Sequence, residues 1–149
     1  MANVRPARST DAGSLGDILY DFQRDTEWMP DLYTGAETIA FCGTMIERGW
    51  VTVAEVDDQI AGFLARDGEE IVALYLSPDI GRRGVGRQLL NAAKQAVKRL
   101  ELHTFEANEG AQRFYLRQGF VEKARGDGSD NEENLPDITY VWTQEEAEK

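Results

Sequence analysis

Two stretches of this sequence carry residue types and spacing that can do chemistry. In the first, Leu74 to Leu90, an apolar run breaks into Gly81-Arg-Arg-Gly-Val-Gly86 and then resumes with helical spacing. Glycines at 81, 84 and 86 leave successive backbone N–H groups free of side-chain cover, and the helix behind them adds the positive end of its dipole. Such a turn cradles a phosphate or pyrophosphate, and Arg82, Arg83 and Arg87 concentrate positive charge on it. The second stretch is Asn108-Glu-Gly-Ala-Gln-Arg-Phe-Tyr-Leu-Arg-Gln-Gly-Phe120. Its Tyr115, with an ordinary phenol pKa of about 10, holds a donatable proton at neutral pH; packing beside Phe114 is the alternative role.

The glycine turn differs from its look-alikes. A dinucleotide fingerprint needs a third glycine three places after Gly86, where this chain has Leu89. A P-loop ends in Gly-Lys-Ser/Thr, and here the residues are Gly-Arg-Gln. On glycine spacing alone, a plain strand-to-helix turn is an equal alternative.

Composition sets the frame. A chain of 149 residues, 42% hydrophobic and 29% charged, is sized and balanced for one globular domain spanning 1–149. No run of about 18 apolar residues is present, and Met1-Ala-Asn-Val-Arg-Pro-Ala-Arg8 lacks the apolar core and cleavage pattern of a leader, so a cytoplasmic protein is expected. The net charge of −11 disfavours nucleic acid and anionic membranes as partners. Cys42 is the only cysteine, so no intrachain disulfide or thiolate cluster forms and no metal is expected. Cys42 reads as a buried small hydrophobe and His103, the only histidine, as a solvent-facing strand residue; a dyad between them is the alternative.

The elements that position these stretches follow from periodicity. Val4 to Ala7 suits an edge strand. Ser9-Thr-Asp-Ala caps a helix with Leu15, Ile18, Leu19 and Phe22 on one face, and a second helix runs from about Ala36 to Arg48, ending at Gly49. Trp50–Val56 and Ile60–Ala65 form a hairpin about Asp57-Asp-Gln, followed by a strand from Glu70 to Leu76. A helix then spans Gly84 to Arg99, a strand carries Leu100, Leu102 and Thr104, and a further helix spans Asn108 to Gln118. Phe120–Ala124 and Asp137–Thr143 are strands flanking a polar loop, Arg125 to Pro136, of the kind that carries function. Residues 143–149 read as a frayed acidic tail. The order predicts an α/β fold with a mixed sheet and about four helices on its faces.

At this point the chain resembles the GNAT family of acyl-CoA-dependent N-acetyltransferases. That family's main motif is a strand followed by Gln/Arg-x-x-Gly-x-Gly/Ala opening a helix, matched by Ser77-Pro-Asp-Ile-Gly-Arg-Arg-Gly-Val-Gly86. Its second, Asn-x-x-Ala-x-x-Phe-Tyr-x-x-x-Gly-Phe, is matched by Asn108, Ala111, Phe114, Tyr115, Gly119 and Phe120. The motif-bearing match covers residues 50–124. One departure is Gly81, at the family's Gln/Arg position, which leaves Arg82 or Arg83 to supply the charge.

The resemblance implies a mostly antiparallel sheet splayed between its central strands. It implies acetyl-CoA as donor and a primary amine of a small molecule or peptide as acceptor, by direct attack in a ternary complex. A non-catalytic acyl-CoA-binding module on the same fold is the alternative, and a homodimer is compatible with either. Backbone near Leu74 and Leu76 would hold the pantetheine arm and polarise the thioester carbonyl, a donor worth about 3 kcal/mol. The pyrophosphate would lie on Arg82, Arg83, Gly84, Val85, Gly86 and Arg87, and Asn108, which opens the second motif, would also bind the cofactor. Tyr115 matches the general-acid tyrosine. Glu70, on a strand face with Val72, Leu74 and Leu76, matches the catalytic glutamate of the histone-acetylating branch; an exposed turn residue, or a water chain in its stead, stays open. The acceptor pocket would be built by the first two helices and the last loop, through Trp28, Tyr33, Asn131 and Asp137.

Overall fold

The computed structural model describes residues 2–78 and 84–147. Its strands are β1 (Asn3–Pro6), β2 (Val51–Val56), β3 (Gln59–Asp67), β4 (Glu70–Leu76), β5 (Arg99–Phe105), β6 (Val121–Gly126) and β7 (Asp137–Thr143). They form one sheet in the order β1-β2-β3-β4-β5-β7-β6, antiparallel throughout except between β4 and β5. The helices are α1 (Ala12–Asp25), α2 (Gly35–Glu47), α3 (Val85–Ala96), α4 (Glu109–Arg117) and the short α5 (Gln144–Ala147). The mixed α/β sheet expected from the sequence is therefore present.

Alternation along the strands feeds two cores. Leu15 and Ile18 of α1 and Cys42 and Met45 of α2 pack on Val53, Phe63, Ala65 and Ala73 on one face. On the other, Leu89, Leu90 and Ala93 of α3 and Tyr115 of α4 pack on Leu64, Leu100, Leu102, Ile138 and Tyr140. Each fully buried aliphatic or aromatic side chain of this kind contributes about 1.5–3 kcal/mol.

Local chemistry fixes the boundaries. The β2–β3 hairpin closes through Val56↔Gln59, with Asp57 at φ 52 and Asp58 at φ 63. Two successive positive φ values make the turn whose twist matches the strands it joins. Helix α2 opens on a capping box: Thr34 Oγ1 accepts from the Glu37 N–H at 3.1 Å and Glu37 Oε1 from the Thr34 N–H at 2.9 Å.

Three boundaries differ from expectation. Ser9–Asp11 forms a separate 3-10 turn before α1. Helix α3 ends at Ala96 rather than Arg99, because Val97 is already extended (φ −138, ψ 161) and leads into β5. In the segment expected to fray, Gln144–Ala147 is helical, and the Gln144 N–H donates to the Lys98 carbonyl at 2.9 Å.

The N-terminal end is locked by charge. The Arg5 guanidinium contacts both oxygens of Asp11, at 2.9 and 3.2 Å, and also bonds Glu55 of β2; the Arg8 N–H adds a 2.7 Å bond to Asp11. Arg5 holds the buried Asp11 carboxyl below its ordinary value of 3.8. A carboxylate depressed in the folded state contributes stability above its unfolded pKa and loses it as pH falls through the folded pKa. Asp11→Asn should cost about 2 kcal/mol at neutral pH. In denaturant titrations run at several pH values, the gap from the parent protein should shrink steadily below pH 3.8.

Candidate active site

β4 and β5 touch at a single registered pair, Glu70↔Glu101, beside a 2.9 Å bond from the Glu101 N–H to the Glu69 carbonyl. Beyond it no further pair is registered between them among the described residues. β4 instead stays with β3 as far as Gly62↔Leu76, and β5 pairs with β7 along its whole length. The sheet thus opens as a wedge between residues 71–76 and 102–105. Gly86 of α3 and Asn108, Ala111, Phe114 and Tyr115 complete a cavity of about 480 Å³ in it.

Several sequence features build this wedge. Asn108 caps α4 by accepting from the Ala111 N–H at 3.1 Å. A Cβ on Gly86 would stand 3.0 Å from Phe114 Cζ, so glycine lets α3 approach α4. Gly84, at φ 75, opens α3 without a side chain to cap it, and the first amides of a helix have no intrahelical acceptor. The structure therefore brings Leu74, Leu76, Gly86, Asn108 and Tyr115 into one cavity, beside the helix start at Gly84. The Val85 side chain is instead buried in the core, and Arg87 is exposed one residue beyond Gly86. Gly81, Arg82 and Arg83 lie outside the described residues.

Tyr115 is 8% exposed, with its ring 5.2 Å from that of Phe114 and 5.5 Å from that of Phe120. Burial, with a smaller contribution from Tyr75, raises its pKa well above the ordinary phenol value, so the proton is firmly held at neutral pH.

Glu70 is not where alternation puts it. Ala65 pairs with Ala73 but Arg66 pairs with Ile71, which leaves Val72 as an extra residue in β4, a β-bulge. Consequently Ile71 packs in the α3/α4 core while Ala73 packs in the α1/α2 core. The expected shared face of Glu70, Val72, Leu74 and Leu76 is broken: Glu70 falls on the face of Ala73 and Tyr75. It is exposed and lines neither this cavity nor the one described next.

The second cavity, of about 640 Å³, lies between α1, α2, β4 and the β6–β7 loop. Tyr33 lines it, and its hydroxyl donates to Glu132 of that loop, joining the two sides of the mouth; this bond raises the Tyr33 pKa. Gln23 Nε2 holds the segment below, donating to Asp31 at 3.1 Å and to the Tyr33 carbonyl at 2.9 Å. The other expected acceptor residues do not line this cavity. Trp28 packs edge-on between Phe22 (6.1 Å) and Phe105 (5.7 Å). Asn131 clamps its own loop, bonding the Leu135 carbonyl and N–H at 2.9 and 3.2 Å. Asp137 opens β7, 3.8 Å from His103 Nδ1.

Sequence reasoning missed Phe22, Val72, Ala73 and Tyr75, which line both cavities. The one available signal was a phenol in an otherwise apolar strand. Cys42 is fully buried in the α1/α2 core, its thiol pushed up to about 11 by burial. His103 is half-exposed, lines the first cavity and sits 3.1 Å from Thr139 Oγ1, so the two do not form a dyad. Among the described residues no group of three His, Cys, Asp or Glu could hold a metal ion, and no helix is long and apolar enough to cross a membrane.

A family model described as the Acetyltransferase (GNAT) family matches residues 16–120. The chain belongs to that family. It is 35% identical over 94 residues to the peptidyl-lysine N-acetyltransferase YjaB of Escherichia coli, an alignment covering 62% of this chain and 63% of that relative's length. The solution structure of apo YjaB from Escherichia coli superposes with a TM-score of 0.76 at 25% identity, covering 95% of this chain and 97% of that one. The structure of yncA from Salmonella typhimurium with its cofactor acetyl-CoA gives 0.72 at 17% identity, covering 97% and 94%.

The β6–β7 loop that carries Glu132 depends on one glycine. Gly128 is buried at φ 96, and a Cβ there would stand 2.7 Å from backbone atoms of Asn134 and Leu135. Gly128→Ala should therefore cost about 1–3 kcal/mol locally. Limited proteolysis is expected to cut the loop between residues 127 and 136 faster in the variant than in the parent protein.

Proposed function

We propose that this protein transfers the acetyl group of acetyl-CoA to the side-chain amine of a lysine in a peptide or protein. The observation that carries this reading is the wedge between β4 and β5, with Tyr115 at its wall and the start of α3 beside it. An extended amide-bearing arm binds a strand by adding main-chain hydrogen bonds to a free edge, and β4 offers such an edge from Ile71 to Leu76. Phosphates favour a helix N-terminus, which α3 supplies at Gly84 and Gly86, with Arg87 adjacent. The second cavity, adjoining the first across Tyr75, gives an acceptor its own entrance. YjaB, named as a peptidyl-lysine enzyme, and the yncA structure with acetyl-CoA support the same choice of donor and acceptor.

Bound acetyl-CoA supplies an activated acetyl thioester, and the chain supplies orientation and protons. An N–H of β4 near Leu74 or Leu76 polarises the carbonyl, as a fixed donor aimed where negative charge develops. Tyr115 gives its proton to the departing sulfur. A thiol, with an ordinary pKa of about 8.5, is a stronger acid than a phenol, and burial raises both together, so Tyr115 shares its proton with the sulfur as negative charge develops there during bond breaking rather than giving it up beforehand. A lysine amine, with a pKa of about 10.4, must lose a proton before attack. Glu70 lines neither cavity, so water in the open second cavity carries that proton away.

A thiol-release assay with acetyl-CoA and lysine-containing peptides tests the reading. Tyr115→Phe should cut turnover by about 10²–10⁴-fold while calorimetry finds acetyl-CoA affinity unchanged. Equal turnover across all accepted peptides would remove the proton-donor role. Glu70→Gln should keep neutral-pH turnover; a loss recovered at higher pH would instead make Glu70 the base.

A further inference from the structure

Of the four side chains that line both cavities, only that of Tyr75 carries a polar atom. Its ring is fixed, 5.1 Å from Phe22 and 5.9 Å from Phe63. Its hydroxyl makes no hydrogen bond with another described residue. Burial pushes the phenol up to about 12, with Glu133 adding to the effect, so at neutral pH the group is an uncharged hydroxyl able to accept a hydrogen bond.

On the acceptor side, the described lining holds three carboxylates, Glu37, Glu132 and Glu133, and no Lys, Arg or His. Two of the three are engaged: Glu37 caps α2 and Glu132 accepts from Tyr33. Glu133 is half-buried and has no hydrogen-bond or ion-pair partner among the described residues. The rest of the cavity is mostly apolar, including Leu19, Met29 and Phe41. That combination suits an aliphatic stem ending in a cation.

We propose, resting on the acetyl-transfer reading, that Tyr75 and Glu133 form the seat of the acceptor's amine. Glu133 draws the ammonium into the apolar cavity, and the Tyr75 oxygen accepts a hydrogen bond from the nitrogen where the two cavities meet. The seat then selects a long, unbranched, cationic side chain and rejects its neutral isostere, because a site built to bond a charged group leaves that group unpaired when the isostere enters.

The test uses Nα-acetyl-lysine amide and Nα-acetyl-norleucine amide, which share a stem and differ in the ammonium, titrated by NMR into the full chain with coenzyme A present. The lysine probe should bind at least about tenfold tighter, the scale of one charge-assisted hydrogen bond. Glu133→Gln should abolish that preference. Tyr75→Phe, which keeps the packed ring, should weaken the lysine probe several-fold and leave both coenzyme A affinity and thermal unfolding unchanged. Equal binding of the two probes, no binding of the lysine probe, or unchanged lysine affinity in both variants would overturn the seat. Coenzyme A binding, followed by calorimetry in the same samples, reports separately on the acetyl-transfer reading. Its failure alongside an intact lysine preference would sink that reading and leave the seat standing.

Discussion

Everything in this site depends on two neighbouring strands that stop pairing. β4 and β5 share one registered pair, and each is then held by a different partner, β4 by β3 and β5 by β7. A gap in a sheet is unfavourable when buried backbone groups lose their bonds, so the wedge must be propped and kept open to water or ligand. Phe114 against Gly86 props it on the α3/α4 side, and Trp28 with Phe22 and Phe105 does so on the other. Lys94 of α3 fastens the end of α4, donating to the Gln118 carbonyl at 2.6 Å and lying over the rings of Phe120 and Trp142.

The bulge at Val72 does the complementary work. It shifts the alternation of β4, so that Leu74 and Leu76 turn toward the α3 and α4 side while Ala73 and Tyr75 turn toward α1 and α2. One strand thereby serves both cavities. The electrostatics divide along the same line in a chain of net charge −11. A helix start and Arg87 stand on one side, and Glu37, Glu132 and Glu133 on the other.

What was legible in the sequence is what short-range chemistry determines. The glycine-opened helix, the helix beginning at Asn108, the hairpin about Asp57 and Asp58, and the stop at Gly49 each depend on a few adjacent residues, and each is present. What was not legible depends on partners far along the chain. The Val72 bulge comes from the register between β3 and β4, and no residue in Glu70-Ile-Val-Ala-Leu-Tyr-Leu76 announces it. Without it, strict alternation assigned Glu70 to the wrong face and hid Tyr75. The same holds for the C-terminal helix, which is fastened by the Lys98 carbonyl rather than by its own composition. Of the expected acceptor residues, Asn131, Asp137 and Trp28 line neither cavity, and their side chains are committed to a loop clamp, a strand end and an aromatic prop.

The wedge also makes the protein's stability a variable rather than a constant. A ligand lying along β4 would act as the strand the sheet lacks there, and it can do so only in the folded chain. By mass action, an occupant at a hundred times its dissociation constant would add about 2.7 kcal/mol to the folded state. The lifetime of the folded molecule would then follow the supply of whatever fills the gap.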